Sequence, residues 1–453
     1  MDYREEFEQE KMGRLVFRMA MPSVAAQLVN LLYNLVDRIY IGHMPGTGTN
    51  ALAGVGICNT LIVLIAAFAG FAGGGGAPLA SIALGQGKIE KARRIMNNCL
   101  SMLLIFTAAA MGICLPFLSG ILHACGASGT TLPYALPYMR IYLMGTLFVL
   151  LTLGLSPFVN AQGKTKISFL AVSAGAALNI ALDPVLIFGF RMGVRGAALA
   201  TVISQALSAV LILRFLMGKK TVLPVVPAMM LPDFTIYREI AALGISPFVM
   251  ASTESLVGFI LNGQLSKYGD IYVSALAVMQ SGMQLLSVPV QGLGQGVSPI
   301  ISYNYGHRNP KRLTESVRLL VILCFSYNFL LVLWMVLCPV RFASCFTSDP
   351  ELLGTVARVM PFFMSGMAIF GLQRGCQNTF VATNQAKVSL FIALLRKAIL
   401  LIPLVFIFQL FVRPGYLGVY LAESTADALA ALCCTGIFLW KFPRILKSLA
   451  PVR

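Results

Sequence analysis

Charge is what this 453-residue sequence has least of: 11% of positions are Asp, Glu, Lys or Arg, against 58% hydrophobic. A water-soluble chain of that length could not cover its surface with so few charges. Acidic residues number 17 and histidines only three. His43, His123 and His307 fall in polar connections and cannot form an intramembrane ligand cluster. The ten cysteines contain no C-x-x-C pair, and Cys58, Cys99, Cys114, Cys324, Cys433 and Cys434 lie in apolar runs, where cysteine behaves as a small hydrophobe. No nucleophile with its base and no paired metal ligands stand within those runs, which argues against an embedded enzyme. No catalytic residue and no cofactor are expected.

Long apolar runs are what the sequence has in excess. Crossing a hydrocarbon core takes about 20 residues of helix, and twelve such segments begin near Val16, Leu52, Ile95, Tyr134, Ile167, Val194, Glu239, Val273, Val317, Thr355, Val388 and Tyr416. The expectation is an all-α integral membrane protein of twelve transmembrane helices, its partner the lipid bilayer. The acidic segment Asp2–Glu10 lacks a basic region followed by a short apolar core, so no cleavable signal is expected.

The net charge of +17 invites a nucleic-acid reading, but its placement argues against one. Alternate loops carry Lys88, Lys91, Arg93 and Arg94; Lys164 and Lys166; Arg214, Lys219, Lys220 and Arg238; Arg308, Lys311, Arg312 and Arg318; Lys387; and the tail Lys441, Arg444, Lys447 and Arg453. The opposite loops hold Arg191, Arg195, Lys267, Arg341 and Arg413. Such asymmetry places both termini in the cytoplasm.

Internal repetition organises the chain further. Ala51-Leu52-Ala53 recurs as Ala275-Leu276-Ala277, Pro22 faces Pro247, Gly70 faces Gly294, and Gly85 faces Gly306. Lys166, Ser168, Gly193 and Gly196 match Lys387, Ser389, Gly415 and Gly418, at an offset held between 220 and 226. The reading is an N-lobe over 1–217, a linker over 218–235 and a C-lobe over 236–453. Six spans per lobe is an even number, so the lobes are pseudo-symmetric about the membrane normal with a cavity between them. The linker, with Lys219, Lys220, Pro224, Pro227 and Pro232, reads as a tether that lets the lobes move.

Ionisable groups inside a bilayer are costly and mark candidate sites. Asp37, Asp183, Glu254, Glu423 and Asp427 fall within spans. On the first span Gln27, Asn30, Asn34 and Asp37 recur at helical spacing with Tyr33 beside them, a polar stripe that reads as a cavity wall. On the fifth, Asn179 and Asp183 stand one turn apart before Pro184, which frees a carbonyl and bends the helix. Asp37, Asp183 and Thr201 all lie one to two turns from the outer surface, a set of oxygen ligands for a proton or sodium ion. Two carboxylates in a low dielectric cannot both stay ionised without a cation. In the second half, Glu254, Gln280, Met283 and Gln284 read as cavity lining, with Ser287 and Gln291 on the same face. Glu423 and Asp427 align with Thr201 and Gln205 and repel one another unless a cation or Arg396 lies close. The glycine runs Gly73–Gly76 and Gly292–Gly296 lack the lysine of a phosphate loop and read as close helix packing.

Pro22 followed by Asn34-Leu35-Val36-Asp37 resembles the start of a multidrug and toxic compound extrusion (MATE) transporter. So do Ala51-Leu52-Ala53-Gly54-Val55, Ser81 with Gly85, Asn179 with Asp183-Pro184, Gly196 to Thr201, and Tyr303-Asn304-Tyr305-Gly306. The resemblance covers nearly the whole chain and is nearest to the bacterial MepA-like branch. It implies a V-shaped pair of six-helix lobes in the bacterial inner membrane, a monomer exporting small cationic or amphipathic drug-like compounds by antiport with protons or sodium ions. By motif position Asp37, Asn179, Asp183 and Thr201 are the coupling site. Glu254 resembles an acid of the NorM-like branch, but the tenth-span aspartate of that branch is absent, Gln373 and Asn378 standing there instead. A flippase for lipid-linked sugars is the competing reading; neutral and acidic stripes fit cationic substrates better.

Overall fold

The computed structural model describes residues 3–449, apart from the side chains of Tyr3, Ser255 and Phe259. Asp2 and Arg453, parts of the acidic and basic tails in the sequence reading, lie outside the described residues. The spans are α1 (Met12–Gly42), α2 (Gly48–Gly85), α3 (Ile89–Cys114), α4 (Leu132–Met144 with Thr146–Asn160), α5 (Thr165–Gly189) and α6 (Val194–Leu216). The second half supplies α7 (Phe234–Tyr268), α8 (Asp270–Gly306), α9 (Pro310–Leu337), α10 (Pro350–Ala382), α11 (Ala386–Phe411) and α12 (Gly415–Leu449). Eleven are continuous and α4 is bent by 57°, so the chain is a multi-pass membrane protein of twelve spans.

The sequence reads α4 as one uninterrupted span; the structure breaks it at Gly145. There the Gly145 N–H bonds the Tyr142 carbonyl at 3.0 Å, a tightened turn, and α6 presses close. A Cβ at Gly145 would stand 2.6 Å from Cγ1 of Val202, so the missing side chain is what lets α6 approach. The α-helical bonding of α5 gives way after Pro184 to a π-helical turn over Val185–Gly189. Its counterpart α11 carries a π-helical stretch at Leu395–Leu401. Such turns insert a residue into the ladder and rotate the rest of the helix about its axis.

Each half repeats one packing pattern. α1 lies on α5, α5 on α6, α2 on α3 and α4, and α4 on α6; α7 lies on α11, α11 on α12, α8 on α9 and α10, and α10 on α12. Large apolar side chains such as Phe17, Leu32, Ile113, Leu330 and Leu410 cover the exposed surface, as lipid requires.

The halves meet through α1 against α8 and α2 against α7, at the end of the bundle that carries both chain ends (the terminal end). Glycine sets the approach there. A Cβ on Gly292 would lie 2.5 Å from the Val24 Cα, and one on Gly296 would lie 2.6 Å from the Ala20 Cα. Gly75 likewise meets the backbone of Ile240 and Gly244. Gln27 donates to Gln295 across the junction at 2.9 Å, and Phe248 packs on Phe68 at 5.0 Å. Residues 19–27, 68–85, 240–248 and 292–306 all belong to the terminal halves of their helices, so the two lobes form a V closed at the terminal end and splayed at the other.

Two further ties close that end. The short helix Tyr3–Gln9 bridges the halves: Glu6 pairs with Arg18 at 3.1 Å and Lys164 at 3.4 Å, while Tyr303 donates to Glu8 at 2.6 Å and stacks on Phe7. The segment between α6 and α7 is not the free tether its prolines imply. Asn97 donates to the Pro224 carbonyl and accepts from the Val226 N–H; Asn98 does the same for Met229 and Asp233; Gln162 accepts from Thr221 and Val222. Prolines remove donors from this segment, and three side-chain amides satisfy the peptide groups that remain. It is stitched to the first half as far as Asp233.

Candidate functional site

Asp37 and Asp183 meet inside the first half because α1 packs on α5 there. Asp183 is fully buried, Asn179 is 1% exposed, and Asp37 and Thr201 are 8% exposed. Asn179 donates to Asp183 at 3.4 Å, one turn along the same helix. The two carboxylates lie within electrostatic reach of each other. Tyr33 and Tyr138 also lie within electrostatic reach of Asp37, and Gln205 of α6 reaches Tyr33 at 3.5 Å. Arg38, the residue after Asp37, is exposed, and among the described residues no ion pair forms with either acid.

The unfilled hydrogen-bonding capacity of this cluster is specific. Asp37 Oδ1, Asp183 Oδ2, Asn179 Oδ1, Gln205 Oε1 and Ser204 Oγ are buried without a partner. Buried polar atoms are satisfied in the great majority of cases, and buried carboxylates are expensive without compensation. Orphaned oxygens of this kind fit a bound proton or a small hard cation, both of which they can satisfy. Thr201 lies one turn from Gln205 and is buried, but among the described residues it makes no hydrogen bond to either carboxylate. Sequence patterning does not single out Tyr138 and Gln205 as site residues; the aromatic spacing Tyr134, Tyr138, Tyr142 is the signal for the first, and the repeat alignment with Asp427 for the second.

The polar stripe of α1 divides. Asp37 and Tyr33, one turn apart, enter the first half. Gln27 forms the floor contact with Gln295, and above it Asn30 is half-buried and Asn34 exposed, its amide bonded to the Asn30 carbonyl at 2.7 Å. On α8, Gln291 and Gln284 continue the face of Gln295 away from the floor and are exposed, with Gln280 half-buried beyond them. Polar side chains open to solvent within spans do not belong on lipid, so these face the cleft. Met283 departs from that wall: it packs partly buried against the core of the second half.

The second half is arranged differently at the equivalent level. Arg396 makes a two-pronged bond to Asp427, Nε at 2.5 Å and Nη2 at 3.1 Å, and Lys397 donates to Glu423 at 2.8 Å. Both acids are fully buried. Arg396 also lies 3.9 Å from Glu423 and over the Phe370 ring at 4.1 Å, with Arg374 at 5.3 Å from the same ring. The Arg396 partnership meets the expectation from sequence; the Lys397 one adds to it. A stretch reading Leu394-Leu395-Arg396-Lys397 puts two basic residues side by side in a helix, where an α-turn separates them by about 100°; the π-helical turn is where both point inward. Glu254 of α7 is exposed and edges a cavity of about 10 Å³, also bounded by Gln373, Gln377, Arg396 and Lys397, with room for one water molecule.

Comparison with known proteins agrees with this architecture. The chain is 25% identical over 428 residues to "Multidrug export protein MepA" of Staphylococcus haemolyticus, covering 94% of each chain. It is 26% identical over 439 residues to the protein of that name from Staphylococcus aureus, again with 94% of each covered. Its fold superposes on a solved structure described as the outward-facing conformation of a multidrug resistance MATE family transporter of the MOP superfamily. That match has a TM-score of 0.90 at 22% identity and covers 99% of both chains. The MatE family model matches residues 22–185 and 248–407, well over half of the sequence, and the chain belongs to the MatE family.

Proposed function

We propose that this protein is a secondary active exporter of cationic amphipathic compounds, driven by protons or sodium ions that bind between Asp37 and Asp183. The observation that carries the reading is the pair of buried acids with no ion pair among the described residues, each keeping an unsatisfied oxygen, as does Asn179 beside Asp183. The names of the relatives point the same way. The terminal end carries the basic loops, which fits a cytoplasmic position in a bacterial inner membrane, so the V opens outward. In that state an ion entering from outside neutralises the acids. Whichever state binds the ion better gains population, and an ion of equal affinity for both would drive nothing. The cleft lining of Asn30, Asn34, Gln284 and Glu254 is neutral to acidic, which suits positively charged substrates.

The test is retention of a fluorescent cationic dye in pump-deficient cells expressing wild type or Asp37→Asn at equal membrane levels. Extrusion by the wild type and its loss in the variant are expected, with sodium omission and an uncoupler separating the two ions. Normal pumping by Asp37→Asn would place the coupling elsewhere.

A further inference from the structure

The two halves share a fold but solve the problem of buried acids in opposite ways. In the first half Asp37 and Asp183 form no ion pair among the described residues, and the charge nearest Asp37 is that of Arg38, exposed to solvent on the same helix. In the second, Glu423 and Asp427 are each held by a cation belonging to the chain itself, Lys397 at 2.8 Å and Arg396 at 2.5 Å. The repeat makes the contrast positional. Glu423 and Asp427 occupy the places of Thr201 and Gln205, and Arg396 and Lys397 those of Gly175 and Ala176. Gly175 has no side chain to offer and is pressed against Ser204 and Ser208 of α6. The charges gained on α12 are thus matched by charges gained on the helix packed against it, within one π-helical stretch.

We propose that Lys397 and Arg396 are resident cations that hold Glu423 and Asp427 permanently compensated, so that the second half takes up no ion during transport. Lys397 is then a specificity-determining residue, because its ammonium occupies the place an exchangeable cation would take. Arg396 is fixed by two hydrogen bonds and the Phe370 ring, whereas Lys397 is a point charge on a flexible stem. Glu423 keeps one oxygen, Oε2, buried and unpartnered, and the nearby Gln373 and Gln377 also keep a free oxygen each. Those last two border the one-water cavity beside Lys397, which Glu254 bounds on the exposed side. Removing the ammonium leaves a gap bordered by the Glu423, Gln373 and Gln377 oxygens, with an exposed carboxylate at its edge and Arg396, already held by Asp427, as the one remaining cation, a setting that a small monovalent cation fits. The inference rests on the reading of the chain as a cation-coupled exporter, but its first test does not.

That test uses the purified full-length protein. The thermal midpoint of Lys397→Ala should rise with added methylammonium, since a ligand bound only by the folded state stabilises it by mass action. The double variant Lys397→Ala/Glu423→Gln should not respond. If both respond alike, or neither does while folded, Glu423 is not the site and the proposal fails. Where Lys397→Ala does not fold, the paired replacement Lys397→Met/Glu423→Gln decides, because removing both partners of a buried pair is tolerated far better than removing one. In proteoliposomes that variant should move dye at a rate within about twofold of wild type, with the same ions per dye. Loss of transport in a folded Lys397→Met/Glu423→Gln protein would show that the pair participates in the cycle and overturn the proposal. Failure of the exporter reading itself would appear separately, as absence of ion-driven dye movement in the wild type.

Discussion

Gly296→Ala adds one methyl group at the point where α8 crosses α1, and its consequence can be worked from the geometry. The new Cβ would stand 2.6 Å from the Ala20 Cα, 2.7 Å from the Met19 carbonyl oxygen and 2.9 Å from the Ala20 nitrogen. All three are backbone atoms, so no side chain can swing aside. Carbon atoms pack at roughly 3.5–4.0 Å, and the helices must therefore separate by about 1 Å at the closed floor of the V. Overpacking of this kind costs typically 1–3 kcal/mol. The same methyl group costs nothing in a state where the floor has parted. The substitution therefore acts on the balance between states, weakening the one with the floor closed by roughly 5- to 150-fold. Gly292→Ala, one turn away against Val24, should act in the same direction. Because one separation relieves both clashes, the two changes together should cost less than their sum.

The assay is a distance measurement across the open end. Spin labels carried by unnatural amino acids at Phe190 and Phe411, both exposed at the open ends of α5 and α11, avoid the ten native cysteines. In lipid bilayers the wild type should show a long-distance population that falls in Gly296→Ala. Gly112→Ala is the control, since nothing lies within 4 Å of a Cβ there. A Gly296→Ala distribution indistinguishable from wild type would refute the idea that backbone contact at this glycine holds the floor closed.

Two other predictions concern the terminal end. Tyr303→Phe keeps the ring stacked on Phe7 but removes the 2.6 Å hydrogen bond to Glu8; a hydrogen bond to a charged group contributes roughly 1.5–3 kcal/mol. Amide exchange of residues 3–9 should accelerate at least tenfold while that of α8 is unchanged, and unaltered exchange would mean the helix is held by its other contacts. Gln162→Ala removes the acceptor shared by Thr221 and Val222, at 2.8 and 2.7 Å. Limited proteolysis between residues 219 and 226 should become several-fold faster, and unchanged proteolysis would mean that Asn97 and Asn98 hold the segment without it.

The twelve spans were legible because hydrophobic length is a local property, and the two-fold repeat because the offset between matched residues is steady. Asp37 and Asp183 were legible because a carboxylate has few reasons to be in an apolar run, and Asn179 because it stands one turn before Asp183. The features that stayed hidden depend on rotation about helix axes. The stripe on α1 looked continuous, yet Tyr33 and Asp37 turn into the first half while Asn34 faces the cleft. Met283 has the spacing of a wall residue and also packs, half-buried, against the core of the second half. Lys397 lies beside Arg396 in sequence and joins it inside only where the helix takes a π-helical turn, which spacing at 3.6 residues per turn does not foresee. The stitched linker depended on three amides, Asn97, Asn98 and Gln162, whose partners lie 59 or more residues away.

The difference between the halves bears on how a duplicated fold comes to work asymmetrically. Helix packing is repeated almost element for element, down to a π-helical turn in α5 and in α11. Packing alone therefore does not decide which half binds an ion. The deciding factor is whether a buried acid meets a cation of its own chain. A tethered ammonium is always present at its site, whereas a free ion is bound only at a frequency set by its concentration and affinity. On the proposal above, the second half would be insensitive to the ion gradient as long as Lys397 and Arg396 keep their charges. The first half, with Asp37 Oδ1, Asp183 Oδ2 and Asn179 Oδ1 unpartnered and no ion pair to either acid among the described residues, is where the proposed reading puts the exchangeable ion. Under the proposed reading, the compensation of Glu423 and Asp427 would keep a second, uncoupled ion from entering the cycle.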